Sequence, residues 1–223
     1  MKQSDLSEAA AALRGILDLV LAAPIDRASS VAGSLNQAAR SLRTYAESAI
    51  TGRTFGTQLA AVFTLLRQAG GSFAAVDAIR VSGLGVAVVG NAAAAVVDTG
   101  VMLALACQCR IVADTAFVSR QQVDRVRDAL DAGFDASIDK ASNDFDQVIV
   151  RALVAMRAAV MRDLSVRAQP LPKMVSYVYP QRRPALWIAQ RLYGDGGRFS
   201  EIIAENTVIH PLFMPAAGRA LSG

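Results

Sequence analysis

Five aspartates, Asp124, Asp128, Asp131, Asp135 and Asp139, recur at steps of four, three, four and four and so fall on one face of a helix. A carboxylate row of this kind could hold a pair of metal ions or divide into an acid and a base. Carboxylate sites inside helical bundles, however, combine glutamates with a Glu-x-x-His partner, and His210 is the only histidine. The row therefore reads as a solvated face, or as one paired with Arg151, Arg157 or Arg162 on a following helix, where each exposed pair adds little. Cys107 and Cys109 stand two residues apart, too close for an unstrained disulfide in a helix and too few for a zinc site without carboxylates. They read as small buried side chains. Gly83-Leu84-Gly85-Val86-Ala87-Val88 lacks the third glycine of the dinucleotide fingerprint, and no Walker sequence occurs. A Ser-His nucleophile would have to use His210, and no elbow motif surrounds any serine. The sequence thus predicts no enzyme, no catalytic residue, no metal and no cofactor.

A second chemical grouping lies near the C-terminus. Lys173, Arg182, Arg183, Arg191 and Arg198 gather close in sequence to Tyr177, Tyr179 and Trp187. Bases of single-stranded nucleic acid stack on such aromatics while the cations track the phosphates. The reading preferred here is a basic rim that contacts an acidic neighbouring subunit. A net charge of +4 permits either partner.

The elements that must carry these residues are mostly helices. Hydrophobic residues make up 53 % of the 223 positions and aromatics only 6 %, which suits close-packed, alanine-rich helices rather than a sheet. Leu6, Leu13, Leu17, Val20 and Leu21 mark a first helix that ends at Ala23-Pro24. Val31, Leu35, Ala38, Leu42, Tyr45 and Ala49 form a heptad-like stripe, broken at Thr51-Gly52. Phe55, Leu59, Val62, Phe63 and Leu66 mark a third helix, stopped by Gly70-Gly71. From Phe73 to Gly90 the pattern is open between a short strand and an extended connection. Gly83 to Cys107 is long enough to raise the question of a membrane span. Asn91, Asp98 and four glycines favour a loop near Gly83 to Asn91 followed by a helix buried in an assembly. Ser119 with Gln122 resembles a capping box. It opens a helix through Val123, Val126, Leu130 and Phe134, and a second helix from about Asn143 to Ala168 carries Phe145, Val148, Ile149, Ala152, Met156, Val160 and Leu164. Joined through Asp139 to Asn143, the two form a hairpin. Asp5 and Glu8 stand where a secretory signal would carry positive charge, so none is expected.

After Gln169-Pro170-Leu171-Pro172 the pattern changes. Met174 to Tyr179 reads as a strand between Pro172 and Pro180. Leu186, Ile188, Ala189 and Leu192 put an apolar stripe on a helix of about two turns, which Gly194 stops in the left-handed conformation. Asp195 and two glycines make a turn, and Phe199, Ile202 and Ile203 mark a second helix ending at Asn206. His210-Pro211 and Pro215 cannot continue it. Arg219 to Ser222 supplies a closing strand, expected to be short and imperfect and to need a partner for completion. The fold class is mainly α: a helical bundle with a hairpin over residues 1–168, its sub-boundary near 70–90, then a small α+β module over 169–223.

That strand-helix-helix-strand order, with the PALWIAQRLYGDGGRFSEIIAENTVIHPLFMPAAGRALS stretch, resembles a LysM module. From about Asp98 onward, the stretches VDTGVMLALACQCRIVADTAFVSRQQVDRVRDALDAGFD and RALVAMRAAVMRDLSVRAQPLPKMVSY, with Arg-Leu-Tyr-Gly-Asp and Asn-x-x-x-His-Pro, resemble the C-terminal half of the DNA circularisation proteins of Mu-like bacteriophage tails. Those proteins begin with a further domain, so the chain would be a shortened or split relative. The resemblance implies a virion structural protein at the baseplate or tail-tip hub, assembled in the host cytoplasm. Its implied partners are other tail and baseplate proteins and further copies of the chain in a homo-oligomeric ring, with no membrane. The residues implied to shape the module are Trp187, Tyr193, Gly194, Asp195, Asn206, His210 and Pro211, and those facing a partner are Arg182, Arg183, Arg191 and Arg198. The alternatives are a peptidoglycan-binding LysM protein and a DNA-binding tail protein.

Overall fold

A computed structural model describes residues 2–144 and 146–222 of the chain. Helices dominate, and a small β-α-α-β module with two antiparallel strands follows them. The sequence expectation of a mainly α protein ending in such a module is met. In order the helices are α1 (Gln3–Ala22), α2 (Ala32–Thr44), α3 (Ala46–Thr51), α4 (Phe55–Gln68), α5 (Phe73–Leu84), α6 (Asn91–Asp114), α7 (Arg120–Asn143) and α8 (Gln147–Ala168). The module contains β1 (Met174–Val178), α9 (Ala185–Tyr193), a 3-10 turn (Gly196–Arg198), α10 (Phe199–Asn206) and β2 (Ala217–Leu221). The chain groups into two compact units. One comprises Met1–Thr115 with Leu130–Ala155, the other Ala116–Ala129 with Met156–Gly223, so α7 and α8 each contribute to both.

In the first unit Leu13, Leu17, Leu35, Leu59 and Leu66 are fully or almost fully buried in one core. Two expectations change here. The heptad-like stripe from Val31 to Ala49 divides into α2 and α3, because the backbone leaves the helical region at Tyr45 (φ −101°, ψ 26°). Tyr45 is 64 % exposed, and Ala46 and Ala49 pack in its place. Phe73 to Leu84, open between strand and connection from its pattern, is helix α5. Its start is fixed by the Ser72 hydroxyl, which accepts from the Ala75 N–H at 3.2 Å. Val76 and Ile79 then face the core, and the glycine at 83 lies against Val101 of α6.

Helix α6 is long and apolar enough to cross a membrane by length and composition, with a mean hydropathy of 1.7. Over half of that stretch, 56 %, is buried inside the protein. Gly100 marks one close approach: a Cβ there would stand 2.6 Å from Ile16 Cδ1, so a larger residue would make that side-chain end shift where α1 meets α6. At the N-terminal end of α6, the Glu8 carboxylate accepts from the N–H groups of Val89 (2.7 Å) and Gly90 (3.0 Å). A negative charge there also complements the helix dipole.

The capping box at α7 is real but shifted. Ser119 Oγ accepts from the Gln122 N–H at 3.4 Å, while Gln122 Oε1 reaches one residue further back and accepts from Val118 N–H at 3.0 Å. Helix α7 runs through Asn143 and α8 begins at Gln147, so Asp139 to Asn143 is helical rather than the join. Asp146 caps α8 by accepting from the Ile149 N–H (3.1 Å). Phe145, assigned to the apolar face of α8, lies outside the described residues. Val148, assigned to the same face, is 79 % exposed, whereas Leu153 and Leu164 are buried.

Candidate functional site

The module is held by residues that the sequence marks unevenly. Its core consists of Tyr177, Ala185, Ile188, Ala189, Ile202, Met214 and Ala220. The inward stripe of α9 is thus Ala185, Ile188 and Ala189 with Leu192 beside them; Ile188, Ala189 and Leu192 stand as expected, whereas Leu186 points outward at 60 % exposure and Ala185 takes its place. Gly194 closes α9 in the left-handed region (φ 71°), as its type predicts. Asp195 accepts from the Gly197 N–H at 2.8 Å and so caps the 3-10 turn.

Asn206 does more than end α10. Its Nδ2 donates to Ile202 O and to Arg219 O, both at 2.7 Å, and its Oδ1 accepts from Arg219 N–H at 2.8 Å. The side chain therefore copies one edge of a strand and ties β2 to the helix. The closing strand is accordingly not truncated. It begins at Ala217 and pairs antiparallel along the whole of β1, from Met174 opposite Leu221 to Val178 opposite Ala217. Beyond it, Ser222 N–H donates to Lys173 O (2.6 Å) and Lys173 N–H to Ser222 Oγ (2.9 Å). The expectation of an incomplete strand judged side-chain alternation alone. The Asn206 clamp and the glycine at 218, which lets the Tyr177 ring lie over the opposite strand, supply what alternation did not.

The proline-bounded linker is pinned. Arg120 at the start of α7 donates from Nε to Leu171 O (2.9 Å) and from Nη2 to Gln169 O (2.8 Å). Next to it, the Gln121 amide donates to Met174 O (3.1 Å) and accepts from Met174 N–H (2.7 Å), completing the outer edge of β1. Arg167 lies over the Phe117 ring at 4.9 Å.

On the module surface, Trp187 meets Tyr179 edge to face at 5.1 Å, and the Arg183 guanidinium lies 5.2 Å from its ring. Tyr179, Trp187, Gln190 and Arg191 line an open groove. Trp187 is 41 % exposed and thus stands at the rim of the core. Of the four arginines expected to face a partner, Arg182, Arg183 and Arg191 are exposed. Arg198 instead grips Glu201 through Nε (2.9 Å) and Nη2 (2.8 Å) and lies over the Tyr193 ring at 4.0 Å. That pairing holds the Glu201 carboxyl below the ordinary carboxylate range. His210 is exposed, its ring 5.4 Å from Phe213 and its Nδ1 3.4 Å from the Leu212 N–H donor. Pro211 O accepts from Ala185 N–H at 2.7 Å, and Met214 N–H donates to Arg183 O at 3.3 Å, so the loop is laced to the start of α9. Tyr177, Met214 and Gly218 were missed as module-shaping residues. Alternation marks Tyr177 as inward in β1, but nothing in the sequence marks Met214 or Gly218.

The other groupings come out as follows. Asp124 and Asp128 pair with Arg127 of their own helix at 3.1 and 3.7 Å. Among the described residues no three His, Cys, Asp or Glu side chains converge on a metal position. Cys107 and Cys109 are free and buried, and burial pushes both thiols up to about 11. Cys107 Sγ donates to Phe63 O at 3.4 Å. The first unit also holds a partly buried ionic cluster that periodicity does not reveal. Arg80 Nη2 donates to Asp77 Oδ1 at 2.8 Å, and Gln108 Nε2 donates to the same oxygen at 3.0 Å. Comparison of the chain with known protein families and with curated proteins finds no match.

Proposed function

We propose that the chain is a structural component of a bacteriophage tail, placed at the baseplate or tail-tip hub and assembled with further copies of itself into a ring. The helical unit would supply packing between copies, and the β-α-α-β module would dock a neighbouring tail-tube or baseplate protein. The reading starts from the resemblance of the C-terminal half to Mu-like tail proteins. The observation that carries it is the character of the module: a closed, well-packed fold whose open face presents arginines and aromatics rather than an acid, base or nucleophile. Protein interfaces favour arginine and aromatic residues of this kind.

The test is immunogold electron microscopy of phage particles from the culture that produces the chain. Label confined to the distal end of the tail is expected. Particles that carry no label while the free chain is abundant would refute the proposal. A pull-down on purified peptidoglycan addresses the glycan alternative, which requires retention that chitin oligomers displace.

A further inference from the structure

We infer that the open face of the module binds an acidic, partly apolar segment of a neighbouring protein, its carboxylates taken by Arg183 and Arg191 and its apolar side chains by Trp187 and Tyr179. The inference rests on the reading of the module as a docking element and names the chemistry of what docks. Charge decides the occupant. Residues 169–223 contain Lys173, Arg182, Arg183, Arg191, Arg198 and Arg219 against Asp195, Glu201 and Glu205, six cations to three anions. Two of the three anions are already engaged within the module. Glu201 is taken by Arg198, and Asp195 is turned onto the Gly197 amide. Arg183 and Arg191 flank the Tyr179–Trp187 pair with no carboxylate hydrogen-bonded to either among the described residues. Guanidinium forks in that state match carboxylates bidentately.

Exposed apolar side chains near the start of α9 point to a peptide. The loop tied to Arg183 and Ala185 exposes Leu212 at 55 % and Phe213 at 64 %, and Leu186 is 60 % exposed on α9. Nucleic-acid bases can stack on Phe213, but the aliphatic Leu186 and Leu212 have no stacking face and suit an apolar peptide side chain instead. A segment alternating Glu with Leu would meet both the cations and the apolar rim, and electrostatic attraction would speed its encounter.

The experiment titrates the intact chain into a fluorescein-labelled peptide of alternating Glu and Leu and reads anisotropy. A matched Gln-Leu peptide and single-stranded oligothymidylate of similar length serve as comparisons. The Glu peptide is expected to bind on the order of tenfold more tightly than the Gln peptide. Arg183→Glu with Arg191→Glu should abolish that preference. Arg183→Lys with Arg191→Lys, which keeps the charge, should retain most of it, and Arg40→Glu on exposed α2 should leave it unchanged. Equal binding of the Glu and Gln peptides, no binding of either, tighter binding of oligothymidylate, or displacement of the peptide by chitin oligomers would each overturn the inference. The mass of the same preparation in solution keeps the two readings apart. A ring that ignores the peptide sinks only this inference, whereas a monomer that binds it sinks only the ring.

Discussion

Replacing Gly218 by alanine tests the account of how the module closes. Gly218 lies opposite Tyr177 in the β1–β2 register. A Cβ built there stands 2.5 Å from Tyr177 Cζ and 2.5 Å from Asn206 Oδ1, and against the Tyr177 hydroxyl oxygen. Carbon contacts settle at about 3.5–4.0 Å, so the overlap is roughly 1 Å. Neither neighbour retreats freely. Tyr177 is 4 % exposed within the core, and Asn206 makes three hydrogen bonds, two to Arg219 that join α10 to β2 and one to Ile202 within α10. If the ring tilts, the cost is that of overpacking, about 1–3 kcal/mol. If Asn206 moves instead, its hydrogen bonds are lost at about 1 kcal/mol each. Either route gives a destabilisation of about 1–3 kcal/mol, a large part of what a unit of this size can have. The chain's single tryptophan, Trp187, sits in the module and reports on it directly. Urea unfolding followed by tryptophan fluorescence should therefore shift to lower denaturant in Gly218→Ala. Circular dichroism, dominated by the helices, should change less at the same concentration. A fluorescence transition that superimposes on the wild type within about 0.5 kcal/mol would show that the close approach of Tyr177 and Asn206 to Gly218 does not hold the strands.

Gly15, exposed in the middle of α1 with open space around its missing Cβ, should behave oppositely. Gly15→Ala is expected to raise stability by about 0.5–1 kcal/mol in thermal unfolding. Glu201→Gln should cost no more than about 1 kcal/mol at neutral pH, since the ion pair with Arg198 is partly exposed. The lowered folded-state pKa of Glu201 means that this contribution is present above the unfolded carboxyl pKa and is lost as pH falls through the folded value. The wild-type and Gln curves should therefore converge in acid urea titrations. Both cysteine thiols, buried and pushed up to about 11, should resist a thiol reagent at pH near 8 and react when urea unfolds the protein. Prompt labelling of the native chain would contradict their burial.

The fold was legible where local rules decide structure. Gly194, Asp195 and the apolar stripes of α1 and α4 act through their own backbone or helix face, and they stand where their residue types predict. The misreadings share a physical cause. The Phe73 to Leu84 helix depends on a Ser72 cap and on packing against α6, and its apolar side chains are β-branched and aliphatic in an order that fits helix or strand. Leu186 reads as inward by its size, yet Ala185 completes the i, i+3, i+4, i+7 stripe with Ile188, Ala189 and Leu192 and holds the place in the core. The closing strand was undervalued because its stability comes from Asn206, eleven residues before Ala217. Of the candidate site, the aromatic and basic composition was legible, but the capture of Arg198 by Glu201 was not. Three residues of separation mark that pair as compatible on a helix, without indicating that the side chain is drawn from the groove.

The pinning of β1 gives the module a different mechanical character from that of a domain on a free tether. Gln169 to Pro172 has the composition of a linker, yet Arg120 and Gln121 bond five of the backbone groups between Gln169 and Met174. A tethered module must lose orientational freedom when it docks, and that loss weakens the complex. Here the orientation of β1 relative to the start of α7 is set before any partner arrives. The arginines beside Trp187 stand on α9 and its leading turn, which the backbone bonds of Ala185 and Met214 fix in turn. Binding energy from those side chains is thus not spent on ordering the frame that carries them. In the docking role proposed above, rigidity at this point matters more than the strength of any one contact.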